Sequence, residues 1–321
     1  MFYTLIQSSE VGVCIALLVY LAQAGSAPEY ARLVNNAAKL LQENRPDSAI
    51  RELTRAAALE PRSPAVHLLL GQAYLGKGTP ELVAEAKAEF QQARELDPEL
   101  VMASYYIAKI DLDLGRVGSA EGELRRAIEK RPREHYLLAL LGEVRRRQGR
   151  PDDAVALTTQ ALESDPQAIP AYFYRALAWW DRKDGARAMD DLNRVLSSPY
   201  ATVEAHQTAG SIHLYHNRLP QAEASFRKAA QLGPDRAEPR LRLAQVLRRQ
   251  RRYDLALKEL ARVVGAVQLS SPYFQKLLAD AAFEKGLILS DRGDAAGAKA
   301  SFERAIEMDP SHEEAGRRLR P

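Results

Sequence analysis

A single cysteine, Cys14, in a chain of 321 residues leaves nothing for an internal disulfide to join, so the fold rests on its apolar core. Charge of one sign is just as scarce. The 45 Lys and Arg stand against 42 Asp and Glu, a net charge of +3, which is too small a surplus to point to nucleic acid. No G-x-S-x-G, phosphate loop, paired cysteines or H-E-x-x-H occurs, so the chain displays no familiar arrangement for acyl transfer, phosphate binding or zinc chemistry. The expectation is a protein that is not an enzyme and holds no cofactor or metal. Gly (18) and Pro (17) are too few for a disordered chain, and 46% apolar with 27% charged residues is the balance of a folded domain.

Long apolar runs are missing too, with one exception near the start. Residues 11–22 are uncharged and apolar, and Gln23, Ala24, Gly25, Ser26 and Ala27 come directly after. That length suits a secretory signal core, and Ala22-Gln23-Ala24 has the small-x-small spacing of a cleavage site. Against this, residues 1–10 contain no Lys or Arg and end in Glu10. An uncleaved membrane anchor over residues 11–27 is the second reading, with Arg32 and Lys39 then favouring a cytoplasmic side for the repeats. Residues 1–27 are therefore expected to be a signal peptide or membrane anchor. The expected location is exported (periplasmic) or membrane-anchored, with cytoplasmic as the alternative. Cys14 does not suit lipidation, because bulky Val13 precedes it.

The remainder of the chain is repetitive. Units begin near residues 30, 64, 101, 135, 169, 203, 237 and 279, mostly 34 apart. Alanine recurs at position 20 of the unit, as in Ala49, Ala86, Ala188, Ala222 and Ala298, with larger residues such as Tyr74, Phe90, Trp179 and Phe302 opposite the small ones. Position 15 is Gly78, Gly115, Gly149 or Gly293 in four units and Asn44 or Asn217 in two, residues that tolerate the left-handed cap ending a helix. Position 32 is Pro61, Pro98, Pro132, Pro166, Pro234 or Pro310, which cannot continue a second helix. Each unit thus reads as a helical hairpin. Repeat 2 carries an enlarged loop at Gly76, Gly78 and Pro80. Eight extra residues before repeat 8, with Ser271-Pro272 as a helix start, predict a first helix about two turns longer. The stretch 313–321 reads as a C-terminal capping helix and tail.

Leu138, Leu141, Gly142, Ala154, Ala161 and Pro166 of repeat 4, with Gly210, Ala222, Phe226, Ala229 and Pro234 of repeat 6, resemble the tetratricopeptide (TPR) consensus. The resemblance covers residues 28–312. It implies an all-α fold, a right-handed superhelical solenoid of about eight helix-turn-helix units, in which a concave groove lined by positions 2, 5, 9 and 12 of each first helix holds a peptide. Carried over residue by residue, the groove would present Tyr105, Lys109, Tyr136, Arg146, Phe173, Leu177, Trp180 and Gln207. The Lys/Asn clamp of chaperone-binding relatives and the asparagine ladder of sugar-transferring ones are not matched. The resemblance extends to exported bacterial members that support pilus, secretion or polysaccharide machinery. It implies a non-catalytic scaffold that binds a protein or peptide partner rather than nucleic acid, with membrane attachment through the N-terminal segment, in an oligomeric state the sequence does not fix.

Two other features carry alternatives. His206, His213 and His216 share one helix, but 206 and 213 are about 10 Å apart along its axis, too far for one metal. They read as core histidines first and as a metal- or substrate-binding site around His213 second. A self-assembling structural array is the third functional reading. Arginines cluster at 145–147 with Arg150, and at 248, 249, 251 and 252. Both clusters fall at a helix C-terminus, where cations suit the dipole, or else mark an anionic partner site.

Overall fold

The computed structural model describes residues 28–199, 201–266 and 272–320. The expectations placed on residues 1–27, on Ser271 and on Pro321 lie outside the described residues. Among those described there is helix and no strand. The chain divides between Tyr200 and Ala201 into two compact units.

In the first unit, α1 (Pro28–Gln42) pairs with α2 (Pro46–Leu59), α3 (Pro64–Gly76) with α4 (Leu82–Leu96), and α5 (Val101–Asp113) with α6 (Val117–Lys130). There too α7 (His135–Arg147) pairs with α8 (Pro151–Ser164) and α9 (Ile169–Asp181) with α10 (Gly185–Leu196). In the second unit, α11 (Val203–Tyr215) pairs with α12 (Leu219–Leu232), α13 (Glu238–Arg249) with α14 (Tyr253–Ala266), and α15 (Pro272–Asp291) with α16 (Ala295–Met308). A short α17 (Glu313–Leu319) closes the series on α16. Odd-numbered helices up to α15 are the first, or A, helices of their hairpins, and even-numbered ones are the B helices. Each B helix also packs on the next A helix of its unit. An A helix is therefore covered from several sides, and α3 and α5 are buried along almost their whole circumference.

The hairpins close on small residues. Ala49, Ala86, Ala120, Ala154, Ala188, Ala222 and Ala256 have no solvent exposure. At position 8, Gly71 and Gly210 lie directly beneath the rings of Phe90 and Phe226, so a methyl group there would come within 2.6 and 2.9 Å of ring carbons. Gly286 and Phe302 repeat the arrangement. In repeat 4 Thr158 replaces the ring over Gly142, and its hydroxyl donates to the Ala154 carbonyl at 2.7 Å.

Position 15 is left-handed in all eight repeats, including Lys183 (φ 64°) and Arg251 (φ 60°), which the sequence does not mark. The cause is the cap itself. The following amide returns to the carbonyl five residues back, as in Asp184 N to Trp179 O and Arg252 N to Leu247 O, each 2.9 Å. That bond requires a left-handed residue whatever its side chain. Repeat 2 departs from this pattern, with residues 77–81 between α3 and α4. The long first helix of repeat 8 is present: α15 has 20 residues where α11 has 13, about two turns more.

Neighbouring hairpins are also tied at their turns. Lys77 reaches Asp47 at 2.8 Å and Arg182 reaches Asp152 at 3.1 Å in the first unit, and Arg292 reaches Asp254 at 2.8 Å in the second. In each case position 14 of one repeat meets position 18 of the one before. At the C-terminal end, Ala315 and Leu319 cover the apolar cluster of Ala298, Phe302 and Ala305, and His312 Nδ1 caps α17 by accepting from the Ala315 amide at 3.2 Å.

Candidate partner-binding face

Seven of the eight groove residues expected from the sequence lie on three consecutive A helices of the first unit. Helix α5 carries Tyr105 and Lys109, α7 carries Tyr136 and Arg146, and α9 carries Phe173, Leu177 and Trp180. Gln207 belongs to α11 in the second unit, where its carbonyl accepts from the Ser211 hydroxyl at 2.9 Å.

The structure brings the tyrosines together. Tyr105 meets Tyr136 edge-on at 5.5 Å between centroids and Tyr106 at 5.3 Å, and Tyr106 stacks on Phe90 at 4.7 Å. Tyr105 is only 9% exposed and belongs to the hydrophobic cluster of its unit. Its main work is therefore packing, by edge-to-face contacts of the favourable kind. Tyr136, Phe173, Leu177 and Trp180 are half-buried. Trp179, expected as a core filler, is also half-buried, and its ring carries the guanidiniums of Arg182 and Arg187 at 4.9 and 4.6 Å. The cation–π contacts hold it where apolar contact alone does not.

The charges on this face are spent on one another. Arg146 binds Glu143 through Nε and Nη2 at 2.7 and 2.9 Å and Asp181 through Nη1 at 2.8 Å. Arg147 donates to Glu143 at 2.8 Å and to the Leu112 carbonyl at 2.6 Å. Burial pulls the Lys109 ammonium down, but Tyr174, Asp113 and Glu143 outweigh it and its pKa stands above the ordinary lysine value. Of the first arginine cluster, Arg145 closes on Glu121 at 3.0 Å and Arg150 on Asp153. That cluster is a latticework of ion pairs, and every guanidinium in it has a carboxylate. Asp181 and Tyr174 are members of the site that position-by-position reading did not single out, whereas Glu143 stands at groove position 9 of repeat 4. A signal existed for Asp181, since position 12 of repeat 7 and position 13 of repeat 8 are again Arg248 and Asp291, which meet at 3.2 Å in the second unit, with Glu284 of the following A helix as the second acceptor.

Of the three histidines expected in the core, His206 and His213 are half-buried on α11, whereas His216 lies just past its end and is exposed. Among the described residues no group of three or more His, Cys, Asp or Glu is placed to hold a metal. Burial, aided by Lys228, lowers the pKa of His206, and burial, aided by Arg218 and His216, lowers that of His213. The His213 Nδ1 is buried without a hydrogen-bond partner. Unfolding returns both rings to the ordinary 6.5, so as pH falls the unfolded chain takes up protons first. Stability should be complete above about 6.5 and decline below it until the folded rings also protonate. Melting temperatures on either side of that value should show this slope, and His206→Gln with His213→Gln should flatten it. An unchanged slope would mean that neither ring is held neutral by the fold.

Three family models, each described as a tetratricopeptide repeat, match the chain. One covers residues 40–81 and 213–281, a second 81–135 and 139–202, and a third 279–312. The tetratricopeptide repeat and J domain-containing co-chaperone DNJ1 of Cryptococcus neoformans var. grubii is 25% identical over 221 residues, 65% of this chain and 42% of that protein. Protein O-mannosyl-transferase TMTC3 of Homo sapiens is 23% identical over 336 residues, 88% of this chain and 36% of that protein. The chain thus spans less than half the length of these relatives. Among solved structures, the APC/C hetero-tetramer Cut9-Hcn1 aligns with a TM-score of 0.69 at 12% identity, over 98% of this chain and 63% of that one. PilF of Pseudomonas aeruginosa aligns at 0.58 and 18% identity, over 68% and 96%. At such identities these structures establish the fold alone. No helix among the described residues is long and apolar enough to cross a membrane.

Proposed function

This chain belongs to the tetratricopeptide repeat family, and from that premise we propose that it is a non-catalytic scaffold that receives a segment of a partner protein on the A-helix face of its first unit. One observation carries the reading. Half-buried Tyr136, Phe173, Leu177 and Trp180 come from successive A helices, while the charges among them are closed in pairs. Rigid rings gather binding area at small entropic cost, and a face whose ions are already matched favours apolar anchors over charged ones. An exported or membrane-anchored place in a bacterial envelope assembly is part of the proposal, on the strength of the apolar residues 11–22 and Ala22-Gln23-Ala24.

The test is affinity capture from the native host with the full chain as bait, with the N-terminus of the mature protein sequenced in the same sample. A partner retained by the native protein should be lost with Phe173→Ala or Trp180→Ala, an affinity drop of tenfold or more corresponding to about 1.4 kcal/mol, while Trp180→Ala leaves the melting temperature close to native. Trp179→Ala, which removes the ring under two guanidiniums, should lower the melting temperature and spare binding. The reverse pattern would refute the assignment of this face.

A further inference from the structure

The basic surplus of the chain is concentrated in two repeats. Residues 203–266 hold twelve Lys and Arg against six Asp and Glu, whereas the rest of the sequence has 33 against 36. Against that background we propose a second docking surface, in the second unit, for an acidic segment of another polypeptide: the turn edge formed by Arg218, Arg249 and Arg251.

Within the second unit, α12 packs on α13, and Arg252 crosses from the turn of repeat 7 to Glu223 of α12 at 2.7 Å. The turns of repeats 6 and 7 therefore lie side by side. Glu223 also binds Arg227 at 2.6 Å, so one carboxylate already serves two guanidiniums. The next acid along, Asp254, is taken by Arg292. Arg218, Arg249 and Arg251 are exposed. None of the three has a carboxylate within 4.0 Å among the described residues; Glu284, whose field Arg249 shares, is bonded to Arg248 instead.

Other turns of the chain differ. Arg45 has Glu43, Lys77 has Asp47, Arg116 has Asp111, Arg150 has Asp153 and Arg182 has Asp152. Lys183, in the turn of repeat 5, is a lone exposed cation; three unmatched arginines on adjacent turns set this edge apart. Arg251 is also held in the left-handed region at φ 60°, where glycine or asparagine stands in six repeats, so a long cation is kept here against local conformational preference.

Three open guanidiniums suit the forked recognition of side-chain carboxylates. A nucleic-acid backbone would draw its affinity from a longer run of phosphate contacts, and within the second unit the next turn cation, Arg292, is bridged to Asp254 and does not extend the run. The occupant is thus an acidic polypeptide segment, distinct from the apolar guest of the first unit.

Fluorescence anisotropy of the full chain with a labelled Glu-rich peptide tests the proposal, with a Gly-Ser peptide and an oligothymidylate as comparison probes. The Glu-rich peptide should bind, and salt should weaken it steeply. The combined Arg218→Gln, Arg249→Gln and Arg251→Gly variant should bind about tenfold or more weakly, while Arg116→Gln with Arg182→Gln, which removes bridged cations, should bind as the native chain does. Because Arg251→Gly suits its backbone, the triple variant should keep its helical circular dichroism and melt no lower than the native protein. Equal binding by native and triple variant, absence of peptide binding by the native chain, or preference for the oligothymidylate would each overturn the proposal.

Discussion

Phe226→Ala is expected to destabilise the second unit by about 3–5 kcal/mol, the range for emptying a fully buried aromatic site. The ring has no solvent exposure and lies on Gly210, whose missing side chain makes the space for it. Gly210→Ala presses on the same contact from the other side, placing a methyl within 2.9 Å of the ring, and should cost about 1–3 kcal/mol through overpacking. The informative variant is the double one. With the ring gone the methyl has room, so Gly210→Ala should become nearly neutral in the Phe226→Ala background, a coupling of about 1–3 kcal/mol. Urea unfolding followed by far-ultraviolet circular dichroism measures all four proteins. Additive losses would show that the glycine is not there to admit the ring.

A comparable loss is expected in the first unit from an electrostatic cause. Asp111 has no solvent exposure, and its carboxylate takes Lys87 Nζ at 2.5 Å and the Ser119 hydroxyl at 2.7 Å. Asp111→Ala strands a largely buried ammonium, and breaking a buried pair from one end costs about 3–5 kcal/mol. Replacing both partners, Asp111→Leu with Lys87→Met, removes the charge as well as its partner and should recover most of that loss. If the double variant is no more stable than Asp111→Ala, shape and not charge governs the site.

The hairpin architecture was legible because its determinants are local. A glycine or asparagine at position 15, a proline at position 32 and an alanine at position 20 each act within a few residues of their own position, and the eight extra residues before repeat 8 appear directly as the longer α15. Lys183 and Arg251 were not legible as left-handed residues, since there the capping bond overrides what the side chain prefers. The candidate face was legible only by position. Whether Tyr105 stands open or packs is decided by Tyr136, a residue of the following hairpin. The fate of Arg146 is likewise decided by Asp181, 35 residues away, so neither outcome can be read from one repeat alone. The first arginine cluster shows the same limit: its charge was plain, but its carboxylates were scattered over five helices.

The ties between successive turns have a mechanical consequence. Lys77 with Asp47, Arg182 with Asp152 and Arg292 with Asp254 are solvent-facing and hence screened as ionic strength rises, whereas the glycine–ring contacts inside the hairpins of repeats 2, 6 and 8 are dry and indifferent to it. Salt acts on the couplings and leaves the rods alone: within each unit it softens bending while helix content stays constant, so the spring constant of the stack, and not its integrity, is what the ionic medium sets.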